Sequence, residues 1–165
     1  MTKSARAHTK MHHPGHQPAH VLHFVRLHSA DARLVAVKTG VPAEVILAQS
    51  ALESDWGRSV KGNAYFGVKG KSSAGNSTNF ATHEVTATGE VVSEVSEFRA
   101  YADYAEAAND YASLIQRKYP LAMLFRKDPA KFAEAVAMQG YATDPHYAIK
   151  LKSIIRAHIA PLLGR

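Results

Sequence analysis

Apolar positions recur at helical spacing over most of the chain, and the breaks between them are marked by glycine and proline. Val21, Leu22, Phe24 and Val25, then Leu34, Val35 and Val37, read as a first helix stopped by Gly40. Pro42 opens a second helix, proline being harmless where its missing N–H has no partner in any case, and Gly57 closes it. At about 100° per residue, Pro42, Val45, Ile46, Gln49, Leu52 and Trp56 fall on one side of this helix. Glu53 falls in their midst.

The pattern then changes. Asn63 to Gly70 is a glycine-punctuated aromatic turn, and Lys71 to Asn79 a polar, mobile loop. Phe80–Thr86 and Val91–Tyr101 flank Ala87-Thr88-Gly89-Glu90 and predict a β-hairpin, with Phe80, Thr82, Glu84 and Thr86 sharing one face. Helical periodicity returns behind a capping box, Asp103 with Glu106, ahead of Tyr104, Ala107, Ala108, Tyr111, Leu114 and Ile115. Asp128-Pro129 starts a further helix with Phe132 and Val136, stopped by Gly140. Asp144-Pro145 starts the last, with Tyr147, Ala148, Leu151, Ile154, Ile155 and Ile159. Between these two, Gly140-Tyr141-Ala142-Thr143 is a short turn that presents a tyrosine. The expected fold is α+β and mainly α: a helical domain over residues 21–165 with one inserted β-hairpin lobe.

Residues 1–20 carry Pro14, Gly15, Pro18 and five histidines, His8, His12, His13, His16 and His20, and read as a disordered leader. Three imidazoles at His16, His20 and His23 share a helical spacing, but the prolines and glycine argue against a helix there; no metal or other cofactor is expected. The leader has no apolar stretch, so it is not a Sec signal peptide, and no run of the sequence is long enough to span a membrane.

Charge and cysteine content narrow the chemistry. Twenty Lys and Arg against fourteen Asp and Glu give +6 and a pI near 9.6, which suits an anionic partner. The basic residues are scattered rather than massed on one helix, so no nucleic-acid interface is expected. With no cysteine, thiolate catalysis, disulfides and Cys-ligated metals are excluded.

Glu53 is the candidate for chemistry. Desolvation on an apolar face raises a carboxyl pKa and lets it hold a proton near neutral pH, as a general acid must; the alternative is a structural glutamate meeting an arginine or a backbone amide. Trp56, the only tryptophan, either floors a sugar site or plugs the core. Glu84 shares a strand face with an aromatic ring, and the alternative there is a solvated charge.

The runs LAQSALESDWG (47–57), NAYFGVKG (63–70), ATHEV (81–85), FRAYADYAEAANDYASLI (98–115) and GYATDPHYAIKLKSII (140–155) resemble, in order, glycoside hydrolase family 73. That is the N-acetylglucosaminidase domain of FlgJ-type flagellar proteins and bacterial autolysins. The resemblance spans roughly Phe24 to Ile159 and implies a lysozyme-like fold with a hairpin lobe flanking a glycan cleft. It implies Glu53 as catalytic acid, with Asp55 standing where the family often has glycine. It implies Glu84 as the second acidic residue, carried on the hairpin, and Tyr141 as a cleft tyrosine implicated in catalysis. Trp56, Asn63, Phe66 and Tyr147 match positions near the glycan site that bind or shape.

Cleavage of a β-1,4 glycosidic bond needs a proton for the leaving oxygen and stabilisation of an oxocarbenium-like centre. Glu53 fits the first task. Glu84, Tyr141 or the substrate's own 2-acetamido group fits the second. The expected substrate is the peptidoglycan glycan strand, cut after N-acetylglucosamine. A small domain without a signal peptide looks like the type VI secretion effectors that act on the cell wall in the periplasm of a target cell, and implies a cognate immunity protein occluding the cleft. The alternatives are a phage endolysin, a muramidase of the same fold, and a peptidoglycan-binding module without activity.

Overall fold

A computed structural model of the chain describes residues 16–164, apart from the side chains of Thr82 and Glu84. Residues 1–15 of the expected leader, with His8, His12 and His13, lie outside the described residues. The described part is mainly helical with a two-stranded antiparallel sheet, the architecture the sequence pattern predicts.

Helix α1 (Ala19–Thr39) begins two residues earlier than its first apolar position suggests, with Pro18 as N-cap. Residues 16–18 therefore lead directly into the domain. Gln17 Nε2 donates to the carbonyl of Ala157 at 2.8 Å, and its Oε1 accepts from His158 Nδ1 at 2.6 Å. Ala157 is the carbonyl that Pro161, lacking an N–H, cannot engage in helical i−4 bonding. Gln17 supplies a donor there.

The buried face of α1 is Val21, Phe24, Val25, His28, Ala32 and Val35. The sequence reading differs in two places: Leu34 and Val37 are 69% and 89% exposed, and His28 is core. His28 stacks on Tyr104 at 3.9 Å and meets Tyr65 edge-on at 5.1 Å. Burial, and then the charge of His23, depress its pKa to about 4.

That depression makes stability depend on pH. Above pH 6.5 neither the folded nor the unfolded chain protonates His28; between 6.5 and about 4 only the unfolded chain does, so stability falls as pH falls. A loss on the order of 2–3 kcal/mol is expected across that window. Thermal melts of the His28→Phe protein should lack this component, and an unchanged pH slope would assign it elsewhere.

Helix α2 (Ala43–Ser54) is the central element, packed against α1, α4, α5 and the π-helical stretch described below. It is buried or half-buried at every position but one, and that one is Glu53. This corrects the expectation of an apolar stripe with Glu53 in its middle. Val45, Ile46 and Gln49 are buried on that side, but so are Leu47, Ala48, Ser50 and Ala51 on the others. The helix is thus enclosed nearly all round, its buried Gln49, Ser50 and Ser54 hydrogen-bonded within the protein; Glu53 marks where its last turn surfaces.

The helix ends at Ser54, three residues before Gly57. Asp55, Trp56 and Gly57 all take positive φ, at 49°, 57° and 78°. Only the glycine does so without strain. The turn is tied down by Trp56 N–H to the Ala51 carbonyl (2.8 Å), Gly57 N–H to Ser54 Oγ (2.9 Å) and Ser59 N–H to the Ser54 carbonyl (2.9 Å). Asp55 also pairs with Arg58 at 2.7 Å on the surface.

Strands β1 (Ser77–Val85) and β2 (Val91–Arg99) pair in register from Ser77↔Arg99 to Val85↔Val91. Pairing reaches back to Ser77, which the sequence reading left in the preceding loop. The rest of that loop is turned on Ser72, whose Oγ accepts from Asn76 N–H at 3.1 Å. The outer half of the ribbon is exposed, whereas its base is stitched to the aromatic turn: Gly70 N–H donates to the Glu97 carbonyl and Arg99 N–H to that of Val68. Asp110 then takes both Arg99 (3.0 Å) and the Tyr101 hydroxyl, fixing the hairpin base to α3.

Helix α3 (Tyr104–Lys118) starts on the predicted capping box, Glu106 N–H donating to Asp103 Oδ1 at 2.8 Å, while Glu106 Oε2 accepts from Ala102 N–H. A short 3-10 turn (Ala122–Phe125) leads to α4 (Pro129–Met138). Helix α5 (Tyr147–Ile154) continues through a π-helical stretch (Ile155–Ile159) into α6 (Ala160–Leu163). Asp144-Pro145 forms a turn before α5 rather than its first residues, since Asp144 Oδ1 accepts from His146 N–H. No helix among the described residues is long and apolar enough to cross a membrane.

Candidate active site

The site is built where the last turn of α2, the aromatic turn and the first turn of α5 meet. Glu53 Oε1 accepts from the Tyr147 hydroxyl at 3.0 Å. On the other side, Gly67 backs on to the carboxyl so closely that a Cβ placed there would lie 3.0 Å from Oε2. Gly67 has φ 62°, a conformation that a side chain would strain as well.

Glu53 is exposed as a residue, yet protein crowds its carboxyl from the inner side. Burial on that side raises its pKa, and the Tyr147 hydrogen bond opposes the rise. The outer side stays open to solvent and to a ligand. A carboxyl that resists ionisation and is reachable from outside is equipped to donate a proton.

Tyr147 is itself buried, 4% exposed, with its ring stacked on Tyr141 at 5.8 Å. Tyr141 is half-buried, and its hydroxyl donates to the Phe66 carbonyl at 2.8 Å. Burial pushes that phenol well above its usual pKa, the charges of Tyr147, Tyr111 and Glu53 adding to the effect. Its proton is thus committed to the main chain.

The structure brings Glu53, Tyr141 and Tyr147 together, with the Phe66 carbonyl against Tyr141. Phe66 is 1% exposed and stacks on Tyr111 at 4.3 Å, so it shapes the site from inside through its carbonyl. Asn63 spends its amide on the carbonyls of Tyr101 and Ala102, at 3.0 and 3.1 Å, clamping the aromatic turn to the chain after β2. Trp56 meets Phe24, His158 and His20 edge-on at 5.7, 5.4 and 6.4 Å; of the two readings of this residue, these contacts are those of a plug between α1 and the π-helical stretch. In β1 the backbone of Glu84 pairs opposite Val92 of β2, and its side chain lies outside those described.

Two participants escaped the sequence reading. Gln49 donates from Nε2 to the Tyr147 hydroxyl at 3.0 Å and accepts on Oε1 from Tyr111. Its signal was present: an amide one helical turn before the carboxylate, in a run that is apolar apart from it and Ser50. Gly67 was read only as turn punctuation.

The family model for glucosaminidases, described as mannosyl-glycoprotein endo-beta-N-acetylglucosaminidase, matches residues 29–159. The chain belongs to the glucosaminidase family of glycoside hydrolases. Among its relatives, the peptidoglycan hydrolase FlgJ of Salmonella typhimurium is 41% identical over an alignment of 143 residues that covers 81% of this chain and 45% of that protein. The chain thus spans less than half the length of the FlgJ proteins. The glucosaminidase fold is shared with the catalytic domain of the autolysin Auto from Listeria monocytogenes, at TM-score 0.77 and 26% identity over 90% of this chain and 89% of that one. A chain from a type VI secretion system effector–immunity complex of Pseudomonas protegens superposes with TM-score 0.62 at 21% identity, covering 88% and 95% of the two chains, a likeness of fold.

Proposed function

We propose that this glucosaminidase domain hydrolyses the glycan strand of peptidoglycan, cutting the β-1,4 bond after N-acetylglucosamine, with Glu53 as general acid. The observation that carries the reading is the Glu53 carboxyl, surfacing from a buried helix with its pKa raised and one oxygen already held by Tyr147. The peptidoglycan hydrolase activity in the name of the FlgJ relatives supports the substrate. So does the +6 charge, suited to an anionic wall.

Glu53 protonates the leaving oxygen as the bond breaks. The electron-poor anomeric carbon is then met by water, with Glu84 as base, or by the 2-acetamido oxygen of the substrate itself. Tyr141, whose proton is engaged by the Phe66 carbonyl, retains only oxygen lone pairs to offer to water or to developing charge. Two variants separate the routes: a loss of about 10²-fold or more in turnover on Glu84→Gln assigns the base to Glu84, and unchanged rates in both Glu84→Gln and Tyr141→Phe favour the acetamido route. Mass spectrometry of digested peptidoglycan should show reducing N-acetylglucosamine ends. Reducing N-acetylmuramic ends would make the enzyme a muramidase, and binding without fragments a non-catalytic module.

The setting that we propose is an antibacterial effector acting in the periplasm of a target cell and blocked there by an immunity protein covering the cleft. It draws on the basic charge and on the fold shared with the effector–immunity chain. Expression behind a periplasmic signal should lyse the host, and co-expression of the adjacent gene should rescue it; survival without that gene removes this setting but leaves the hydrolase.

A further inference from the structure

The partners of Glu53 form a hydrogen-bonded chain with one sense. Tyr111 donates to Gln49 Oε1, Gln49 Nε2 donates to the Tyr147 oxygen, and Tyr147 donates to Glu53 Oε1. Each hydroxyl has a single proton, so the sense of one link sets the next. Tyr111 and Gln49 are fully enclosed. Turning the Gln49 amide over would bring its NH2 against the Tyr111 oxygen and strand the Tyr111 proton in the core without an acceptor, which burial disfavours.

We propose that Gln49 is a positioning residue: anchored by Tyr111, it keeps Tyr147 a donor to Glu53 Oε1 and so confines the transferable proton of the acid to Oε2. An Oε1 that accepts from Tyr147 cannot also carry the carboxyl proton along the same direction. Oε2 is the oxygen beside Gly67, where the missing side chain leaves room. Without Gln49 the last link is free to invert. The carboxyl then donates from Oε1 to the Tyr147 oxygen, and its proton points into the protein instead of toward the leaving group.

This inference rests on Glu53 being the general acid, and its test keeps the two apart. In the full chain, kcat and KM on soluble peptidoglycan fragments are measured across pH for Glu53→Gln, Gln49→Met, Tyr147→Phe and the Gln49→Met/Tyr147→Phe double variant. Gln49→Met should lower kcat roughly tenfold with KM little changed. It should also move the alkaline limb of kcat/KM upward, since the protonated carboxyl gains a partner. In the Tyr147→Phe background it should cost nothing further, because its effect passes through Tyr147. A loss that persists in that background, or an unmoved pH limb, overturns the proposal. Should Gln49→Met fold poorly, Tyr111→Phe serves: it removes the anchor with the loss of one hydroxyl, leaves the Gln49 amide free to turn over, and should give the same kinetic signature in weaker form. An active Glu53→Gln enzyme defeats the general-acid reading itself. An inactive one beside wild-type-like Gln49 variants defeats only the relay.

Discussion

Replacing Glu53 with glutamine is expected to leave a folded protein whose turnover of purified peptidoglycan falls by roughly 10³-fold or more. The substitution is nearly isosteric, and it falls at the one exposed position of α2, so the packing of Val45, Ile46 and Leu47 is untouched. An amide oxygen at Oε1 still accepts from Tyr147. What disappears is the acidic proton. In the wild type, activity should extend on the alkaline side beyond the ordinary carboxylate range and then decline, because burial raises the pKa of an acid that must be protonated to work. The residual activity of the variant should show no such limb. Reducing-end release at several pH values, with melting temperature measured alongside, checks both points; a folded variant at near wild-type rate would remove Glu53 from the mechanism.

The fold was largely legible because its helices begin and end on local chemistry. The Asp103–Glu106 box and Asp128-Pro129 mark helix starts through hydrogen bonds made within a few residues, and these are found where the sequence places them. Burial was harder to read. The single apolar stripe drawn on α2 missed that the helix is enclosed on all sides, since Ala48, Ser50 and Ala51 allow close packing without advertising it. On α1, Leu34 and Val37 are apolar but lie off the buried face, while His28 is buried by stacking on Tyr104. The site shows the same division. Glu53 stood out as a charge among apolar residues, whereas Gln49 acts through Tyr111 and Tyr147, which lie 62 and 98 positions away. Contacts of that kind leave no periodic trace. The resemblance set Asp55 against a position often held by glycine, and the structure shows why glycine suits it: the residue occupies a left-handed position, one where glycine is strain-free.

Gly67→Ala is expected to lower turnover roughly tenfold with only a modest loss of stability. The added methyl would sit 3.0 Å from Glu53 Oε2, 3.6 Å from Cδ and 3.9 Å from Cγ, so the carboxyl has to give by a few tenths of an ångström. That shift strains the bond from Tyr147 to Oε1, and because displacement of a reacting group by about 1 Å costs about 10²-fold, a shift of tenths is expected to cost less. The backbone also pays, because φ 62° costs an alanine roughly 1 kcal/mol. Gly75 separates the two effects: it has φ 81° and nothing within 4 Å of its would-be Cβ. Gly75→Ala should therefore lower the melting temperature comparably and leave kcat alone. Equal kcat losses in the two variants would trace the effect to backbone strain, and a Gly67→Ala enzyme of normal kcat would show that Oε2 does not need the space that glycine leaves beside it.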